Sequence, residues 1–453
     1  MSRMVRGLNR RRAALACVIG LIGAAVGSPA AIGAEPVLLA AEPDRPRPTG
    51  RAIVLVRGPA DRARVLDRAG LRPEVSIPEL GAVAVEPPGA EEVAALRRKL
   101  LDVPGVAAVE PEYRRYLRLT PNDPAFSAPD SHAPLGDTYQ WPLRDERFQG
   151  AWSQSKGAAA RVAVIDTGID AGNPDLAERI VAAVDNDGTP ASGPATVDEN
   201  GHGTHVAGLA CATGDNGYGG ASAGFGCGLI IEKSDLTDAS IADSIVDAAD
   251  RGADVISMSF GGPGASQVIK KAVRYAWVRD VVMVAAASNE NKTKQGFPAR
   301  FLQPNGTGSK LSRGKGLVVT AAEHDGTRAW FKPGHGRGIS LAAYGAASFS
   351  KPGIFSNFPA NLTQLEVGSL RQPPCLCRTV FDGDDRFAYL EGTSMATPQV
   401  AGAATLVRSR KPGIDAKRVL KLIKRKARGK RFRGGLGWGI LNSGNALRAA
   451  VGG

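Results

Sequence analysis

Three short stretches carry residue types that could break a covalent bond. "VAVIDTGIDAGNPDL" (Val162 to Leu176) puts Asp166 directly after an apolar run. A carboxylate there is buried and needs a partner. "DENGHGTHVAG" (Asp198 to Gly208) sets His202 between two glycines, so backbone can pack closely around an imidazole. The chain has only 5 histidines, which leaves few candidates for a general base. "LEGTSMATPQVAG" (Leu390 to Gly402) crowds Ser394 among small residues at what reads as a helix start. A serine hydroxyl is a weak nucleophile at neutral pH and needs a base within hydrogen-bond reach. An imidazole can take its proton, and an aspartate can orient the imidazole and stabilise its cation. The three stretches together could supply a nucleophile, its base and an orienting carboxylate.

Each stretch also has a plainer reading. Asp166 could cap a helix or close a turn, and the serine stretch could be an ordinary capped N-terminus. His202 and His205, three apart, could hold a metal on a helix. No HExxH pattern or third ligand lies nearby, so His205 reads better as a helix-packing histidine. Pro398 is tolerable if it falls within the first helical turn, where its missing N–H costs little.

Positioning such groups takes a rigid frame. Beyond Thr120, apolar runs alternate with helical patterns. "RVAVID" (Arg161 to Asp166), "ADVISMSF" (Ala253 to Phe260), "VVMVAAAS" (Val281 to Ser288) and "GLVVTAA" (Gly316 to Ala322) read as strands buried on both faces. Between them Ile241, Ile245 and Ala249 form a helical stripe, with Asp243, Asp247 and Asp250 pointing elsewhere. The expectation is an α/β domain with a parallel sheet flanked by helices. Functional residues then gather at the carboxyl ends of strands, where Asp166, Ser259 and Asn289 fall. Upstream, strand candidates at Ala52 to Val56, Pro73 to Ile77, Gly81 to Pro87 and Gly105 to Glu112 alternate with helices at Ala60 to Gly70 and Ala90 to Val103. This order predicts a small α+β, ferredoxin-like sandwich. The basic run from Lys417 to Arg433 has Val419, Ile423 and Ala427 at helical spacing, predicting a docked helix with a solvated face.

The 453 residues suffice for more than one domain. Arg3, Arg6 and Arg10 to Arg12 precede an apolar stretch from Ala13 to Val26, and small residues follow near Ala34. This is a secretory signal layout, too short for a membrane span. Removing it leaves Cys211, Cys227, Cys375 and Cys377. An even number in an exported chain favours disulfides, in any of three pairings. Local pairing, Cys211 with Cys227 and Cys375 with Cys377, is the first choice. The net charge of +13 comes with no nucleic-acid module, so no nucleic-acid partner is expected.

"VIDTGID", "GHGTHVAG" and "GTSMATPQVAG", in this order, resemble the three signatures of subtilisin-like serine proteases (subtilase family). The resemblance runs from Pro121 to the C-terminus, and the small sandwich similarly resembles that family's inhibitory propeptide. It implies a signal peptide (1–34), a linker (35–50), a propeptide (51–118) and a peptidase domain (119–453), with a processing junction between Glu112 and Thr120. It implies a secreted, monomeric endopeptidase that acts on polypeptides and is blocked by its own propeptide, with no membrane span in the mature form. Asp166, His202 and Ser394 would be the triad, and Asn289 would join the Ser394 N–H as an oxyanion donor. Ser259, Phe260 and Gly261 would pair with substrate. Phe260, Ala285 to Ser288 and Glu290 would shape the pocket for the residue before the scissile bond. Asp175 would help bind a structural calcium beside the loop Thr213 to Gly220. Two departures stand out. The segment after "IIEKSD" lacks the usual glycine-containing edge strand. Asn305 to Gly316 and Leu362 to Phe387 read as surface insertions. Among rivals, a lipase or esterase would present GxSxG, whereas Ser394 sits in GTSMA.

Overall fold

The computed structural model describes residues 48–451 except 88–91, 114–119, 134–135, 187–192, 349–352, 370–372 and 430. The expected signal peptide and nearly all of the linker lie outside the described residues, as does the stretch 114–119 around the expected junction. The chain divides into two compact units, the first ending at Tyr113.

In the first unit four strands, β1 (Pro48–Val56), β2 (Pro73–Ile77), β3 (Ala82–Val85) and β4 (Val106–Tyr113), form a sheet in the order β2-β3-β1-β4. β1 pairs antiparallel with β3 and β4, and β2 pairs antiparallel with β3. Helices Pro59–Ala69 and Val93–Leu100 supply Val65, Leu66, Leu96 and Leu100 to a core with Val54, Val83 and Val109. The α+β sandwich expected from the alternation is present. Helix-forming runs with one apolar face can bury it only against the sheet.

In the second unit seven strands make one parallel sheet: β5 (Arg161–Asp166), β6 (Ile180–Asp185), β7 (Gly228–Lys233), β8 (Val255–Met258), β9 (Val282–Ala286), β10 (Gly316–Ala322) and β11 (Leu341–Tyr344). The order is β11-β10-β9-β8-β5-β7-β6. Alternate residues of each central strand enter different cores. Val162, Val164, Val282, Val284, Leu317 and Val319 face one, while Ala163, Ile165, Met283, Ala285 and Val318 face the other. The first core holds helices His202–Cys211 and Thr393–Arg410; the second holds Asp238–Asp250 and Gln267–Val278. Two buried faces are why these strands read as continuous apolar runs. β5 lies between β7 and β8, so the strand order turns at β5, the place where such sheets open a crevice at their carboxyl ends.

Thr393–Arg410 is the central helix, and nearly all of its residues are buried. Ala396 and Ala401 are fully buried, as close packing requires. Gly402 lets the helix meet the Ala223–Gly224 backbone: a Cβ there would lie 2.5 Å from that of Ala223. Pro398 falls past the first turn, contrary to the sequence reading, and its consequence appears at the site.

The segment read as a surface insertion contributes strands. β12 (Ile354–Asn357), β13 (Arg378–Phe381) and β14 (Asp384–Leu390) form an antiparallel sheet, with β13 and β14 joined at Asp382–Gly383. Both turn residues have positive φ, which suits Asp-Gly in a two-residue hairpin. Cys211 is bonded to Cys227 and Cys375 to Cys377. The helix expected in the basic run spans Ala416–Lys426 and buries Val419, Leu420 and Ile423. Lys424 departs from the solvated face: it is buried, and its Nζ donates to Lys310 O (2.7 Å) and Arg313 O (2.9 Å).

Candidate active site

Asp166 closes β5, and its side chain is 4% exposed. Its Oδ1 accepts from the Thr167 N–H (2.9 Å) and lies 2.7 Å from His202 Nδ1. His202 opens the helix His202–Cys211, directly after Gly201 at φ +98°. Close approach explains the glycines around it. A Cβ on Gly203 would sit 2.2 Å from Gly168 O, and one on Gly201 would sit 2.7 Å from the Phe358 ring. Burial by itself pulls the His202 pKa down, but the charge and hydrogen bond of Asp166, helped by Asp198, outweigh it and raise the pKa above its ordinary value.

Asp198 is a residue that the sequence reading passed over. It is buried and accepts from Thr167 Oγ1 (2.8 Å), Gly201 N (2.9 Å), Thr204 N (2.8 Å) and Thr204 Oγ1 (2.7 Å). Thr167 Oγ1 in turn accepts from Gly203 N (2.9 Å). The open N–H groups of the helix start are thus tied to the end of β5. An aspartate four residues before the histidine was the available signal, read only as part of the motif. His205 behaves as a packing residue. It is fully buried, its Nε2 contacts Ile354 O (3.0 Å) and Ala388 O (3.2 Å), and burial pushes its pKa down to about 3.

Ser394 is the second residue of the central helix. Its hydroxyl donates to Ser259 O (2.8 Å), not to His202, and the Ser259 hydroxyl donates to Ser394 O (2.9 Å). The second bond follows from Pro398. A residue at that place normally donates its N–H to the carbonyl four residues back. Proline has no N–H, so Ser394 O loses its helical donor and Ser259 Oγ supplies one. Ser259 therefore braces the helix start as well as standing beside it.

Asn289 follows β9. Its Oδ1 accepts from Thr393 N (2.9 Å) and lies 2.9 Å from Thr393 Oγ1, so its Nδ2 points the other way. Gly392, at φ +147°, lies against this carboxamide; a Cβ there would be 3.3 Å from Asn289 Nδ2. Buried Gln295 pins the preceding turn, accepting from Ser288 N (3.0 Å) and donating to Lys292 O (2.9 Å) and His335 O (3.0 Å). No pattern in the sequence signalled Gln295, and the serine motif carries Thr393 without showing that it orients Asn289. Phe260 is half-buried against the second core, and Gly261 is exposed. The next residue, Gly262, pairs with Phe297 through N–H···O bonds of 3.1 and 2.9 Å. Glu290 is paired with Lys292 at the exposed rim.

The order of strand ends, the Asp–His pair and the serine at a helix start match a known group of enzymes. The sequence profile of the "Subtilase family" matches residues 157–439. The chain belongs to the subtilase family. Thermitase from Thermoactinomyces vulgaris is 32% identical over 298 residues, 64% of this chain and 86% of thermitase. A thermophilic serine proteinase from Bacillus sp. (strain AK1) is 30% identical over 70% of this chain and 67% of its own. Among solved structures, a protease from Pseudoalteromonas arctica PAMC 21717 superposes with a TM-score of 0.58 and 26% identity, covering 73% of this chain and 100% of that one. This subtilase is thus a subtilisin-like serine protease that acts on polypeptides.

Asp175 is fully buried in this subtilase. Its oxygens accept from Asn216 Nδ2 (2.8 Å), Asn357 Nδ2 (3.1 Å) and Gly220 N (3.4 Å), and burial pushes its pKa up to about 7. Asp123, also buried, accepts from Asp215 N (2.7 Å) and Asn216 N (3.2 Å) of the same loop. The sequence reading missed Asp123. Two buried carboxylates thus meet one loop with only neutral donors around them. Gly219 keeps the space beside them open, since its Cβ would lie 2.5 Å from Asp175 Oδ2. Oxygen donors of this kind fit calcium.

Proposed function

We propose that the chain is the precursor of a secreted serine endopeptidase in which Ser394 is the nucleophile, His202 the general base and Asp166 the group that orients it. The observation that carries this is the 2.7 Å contact between Asp166 Oδ1 and His202 Nδ1. It leaves Nε2 as the nitrogen available to take a proton. Ser394 Oγ leaves Ser259 O, turns to His202 and attacks the carbonyl carbon as its proton passes to Nε2. The oxyanion is held by the Ser394 N–H, at a helix start, and by Asn289 Nδ2. Collapse breaks the C–N bond, and the His202 imidazolium gives its proton to the departing amine. Water, deprotonated by His202, then releases the acyl group from Ser394. Extended substrate lies along Ser259 to Gly261, where backbone pairing gives affinity with little sequence choice. Phe260 and Ala285 to Ser288 wall the pocket for the residue before the scissile bond, favouring apolar side chains.

Residues 51–118 act as an inhibitory propeptide removed between Glu112 and Thr120, after residues 1–34 have directed export. The separate compact unit ending at Tyr113 supports this reading. Calcium would be held by Asp175, Asp123 and the Asn216 carboxamide, where it stabilises the loop and supplies no step of the reaction.

The test is a fluorophosphonate probe on the secreted chain beside Ser394→Ala. Labelling of wild type with peptidase activity, and neither in the variant, is expected. Labelling without peptidase activity would revive the esterase reading. N-terminal sequencing should find the active form starting between Glu112 and Thr120, and the variant uncleaved; an active form that keeps its N-terminal unit overturns the zymogen reading.

A further inference from the structure

We infer that Arg378, on β13 of the inserted sheet, is a positioning residue for His202. This rests on the reading of His202 as the base. All five N–H donors of the guanidinium are used. Nε and Nη2 hold the Glu366 carboxylate (2.7 and 2.8 Å), Nη1 reaches Pro359 O (2.8 Å) and Asp385 O (2.9 Å), and Nη2 also reaches Asn361 O (2.9 Å). The guanidinium carbon also lies 5.2 Å from the centre of the Phe358 ring. One side chain thus ties the segment 358–366 to β13 and β14.

That segment is gripped on its other side by the catalytic turns. Glu366 Oε2 accepts from Thr363 N (2.9 Å) and Thr363 Oγ1 (2.9 Å), which starts the short helix Gln364–Val367. Its first N–H groups donate to Glu199 O (Gln364 N, 2.8 Å) and Asn200 O (Leu365 N, 3.3 Å), three and two residues before His202. Ala360 N donates to Asp170 Oδ2 (3.0 Å), four residues after Asp166. The Phe358 ring, fully buried, and the Thr363 methyl close on Gly201, where a Cβ would lie 2.7 and 3.1 Å from them. Gly201 is the residue before His202. The segment 358–366 therefore clamps both turns that present the Asp–His pair, and Arg378 is the bolt of the clamp. A general base must stay within a fraction of an ångström of its working position, and such precision comes from the groups packed behind it.

The test combines steady-state kinetics on a peptide anilide with the low-field proton resonance of His202 Nδ1–H, assigned by its loss in His202→Gln. Arg378→Ala should lower kcat by about tenfold or more at a KM within about twofold of wild type, and shift or broaden that resonance. Arg378→Lys should recover part of both, since three donors replace five. Leu376→Ala, on a fully exposed side chain of the same insertion, should change neither. If Arg378→Ala does not fold, Arg378→Lys and Glu366→Gln carry the test. A folded Arg378 variant with wild-type kcat, or with reduced kcat and an unmoved resonance, overturns the inference. Failure of the underlying reading looks different: the wild type itself would show no peptidase activity.

Discussion

At the scale of single residues, two side chains do work that their motif does not disclose. Ser259 lends its hydroxyl to the carbonyl that Pro398 leaves without a donor, and its own carbonyl holds the Ser394 hydroxyl. Thr393 fixes which end of the Asn289 carboxamide is the acceptor, so that Nδ2 points away from Thr393. That orientation makes a prediction. Asn289→Ala should lose about a hundredfold to a thousandfold in kcat with little change in KM, because the donor acts on charge that develops only in the transition state. Steady-state kinetics on a peptide anilide decide it, and a change confined to KM would remove Asn289 from the oxyanion site. Of these residues, Asn289 was legible because it matches a family motif. Thr393 stands in the serine motif, but its hold on the amide does not show there, since an amide's orientation depends on a neighbour more than a hundred residues away.

Among secondary-structure elements, the helix His202–Cys211 is held both at its start and along its body. Its start is tied to β5 through Asp198 and Thr167, and its body is tied to β12 and β14 through His205. His205 titrates near 3 when folded against about 6.5 when unfolded, so the unfolded chain binds the proton more readily. Its contribution to stability is present above about pH 6.5 and is lost as the pH falls toward 3. Thermal melts of the inactive Ser394→Ala chain should show this decline. Adding His205→Gln should flatten it between those pH values while lowering stability at neutral pH; an unchanged slope would show that other groups set the acid limit. The helical spacing of His202 and His205 was visible in the sequence. That one faces the site and the other two backbone carbonyls was not, because the carbonyls come from strands far along the chain.

At the scale of the whole molecule, the loop Thr213 to Gly220 joins distant parts of the second unit. Asp123 near its start and Asp175 after β5 both close on the loop, and the Cys211–Cys227 bond spans its ends. Calcium bound here would relieve the burial cost of two carboxylates. EGTA should then lower the melting temperature of the Ser394→Ala chain by several degrees, with about 1 kcal/mol corresponding to a few degrees at this size. Excess calcium should restore it, and Asp175→Asn should abolish the response. Isothermal titration showing no calcium binding to the wild type would exclude the site.

By itself, the sequence determined the kind of chemistry and the frame. Asp166, His202 and Ser394 stand in short motifs whose glycines and apolar runs are local, and buried strands and capped helices announce themselves by periodicity. The α/β sheet and the small α+β sandwich followed from the same local signals. Only the tertiary structure decided what braces those residues. Asp123, Gln295 and Arg378 act on groups elsewhere in the chain, largely backbone N–H and C=O groups that any residue type could offer. Such partners leave no pattern in composition or spacing. They exist because a buried carbonyl, N–H or charge must find a mate wherever the fold brings one within reach.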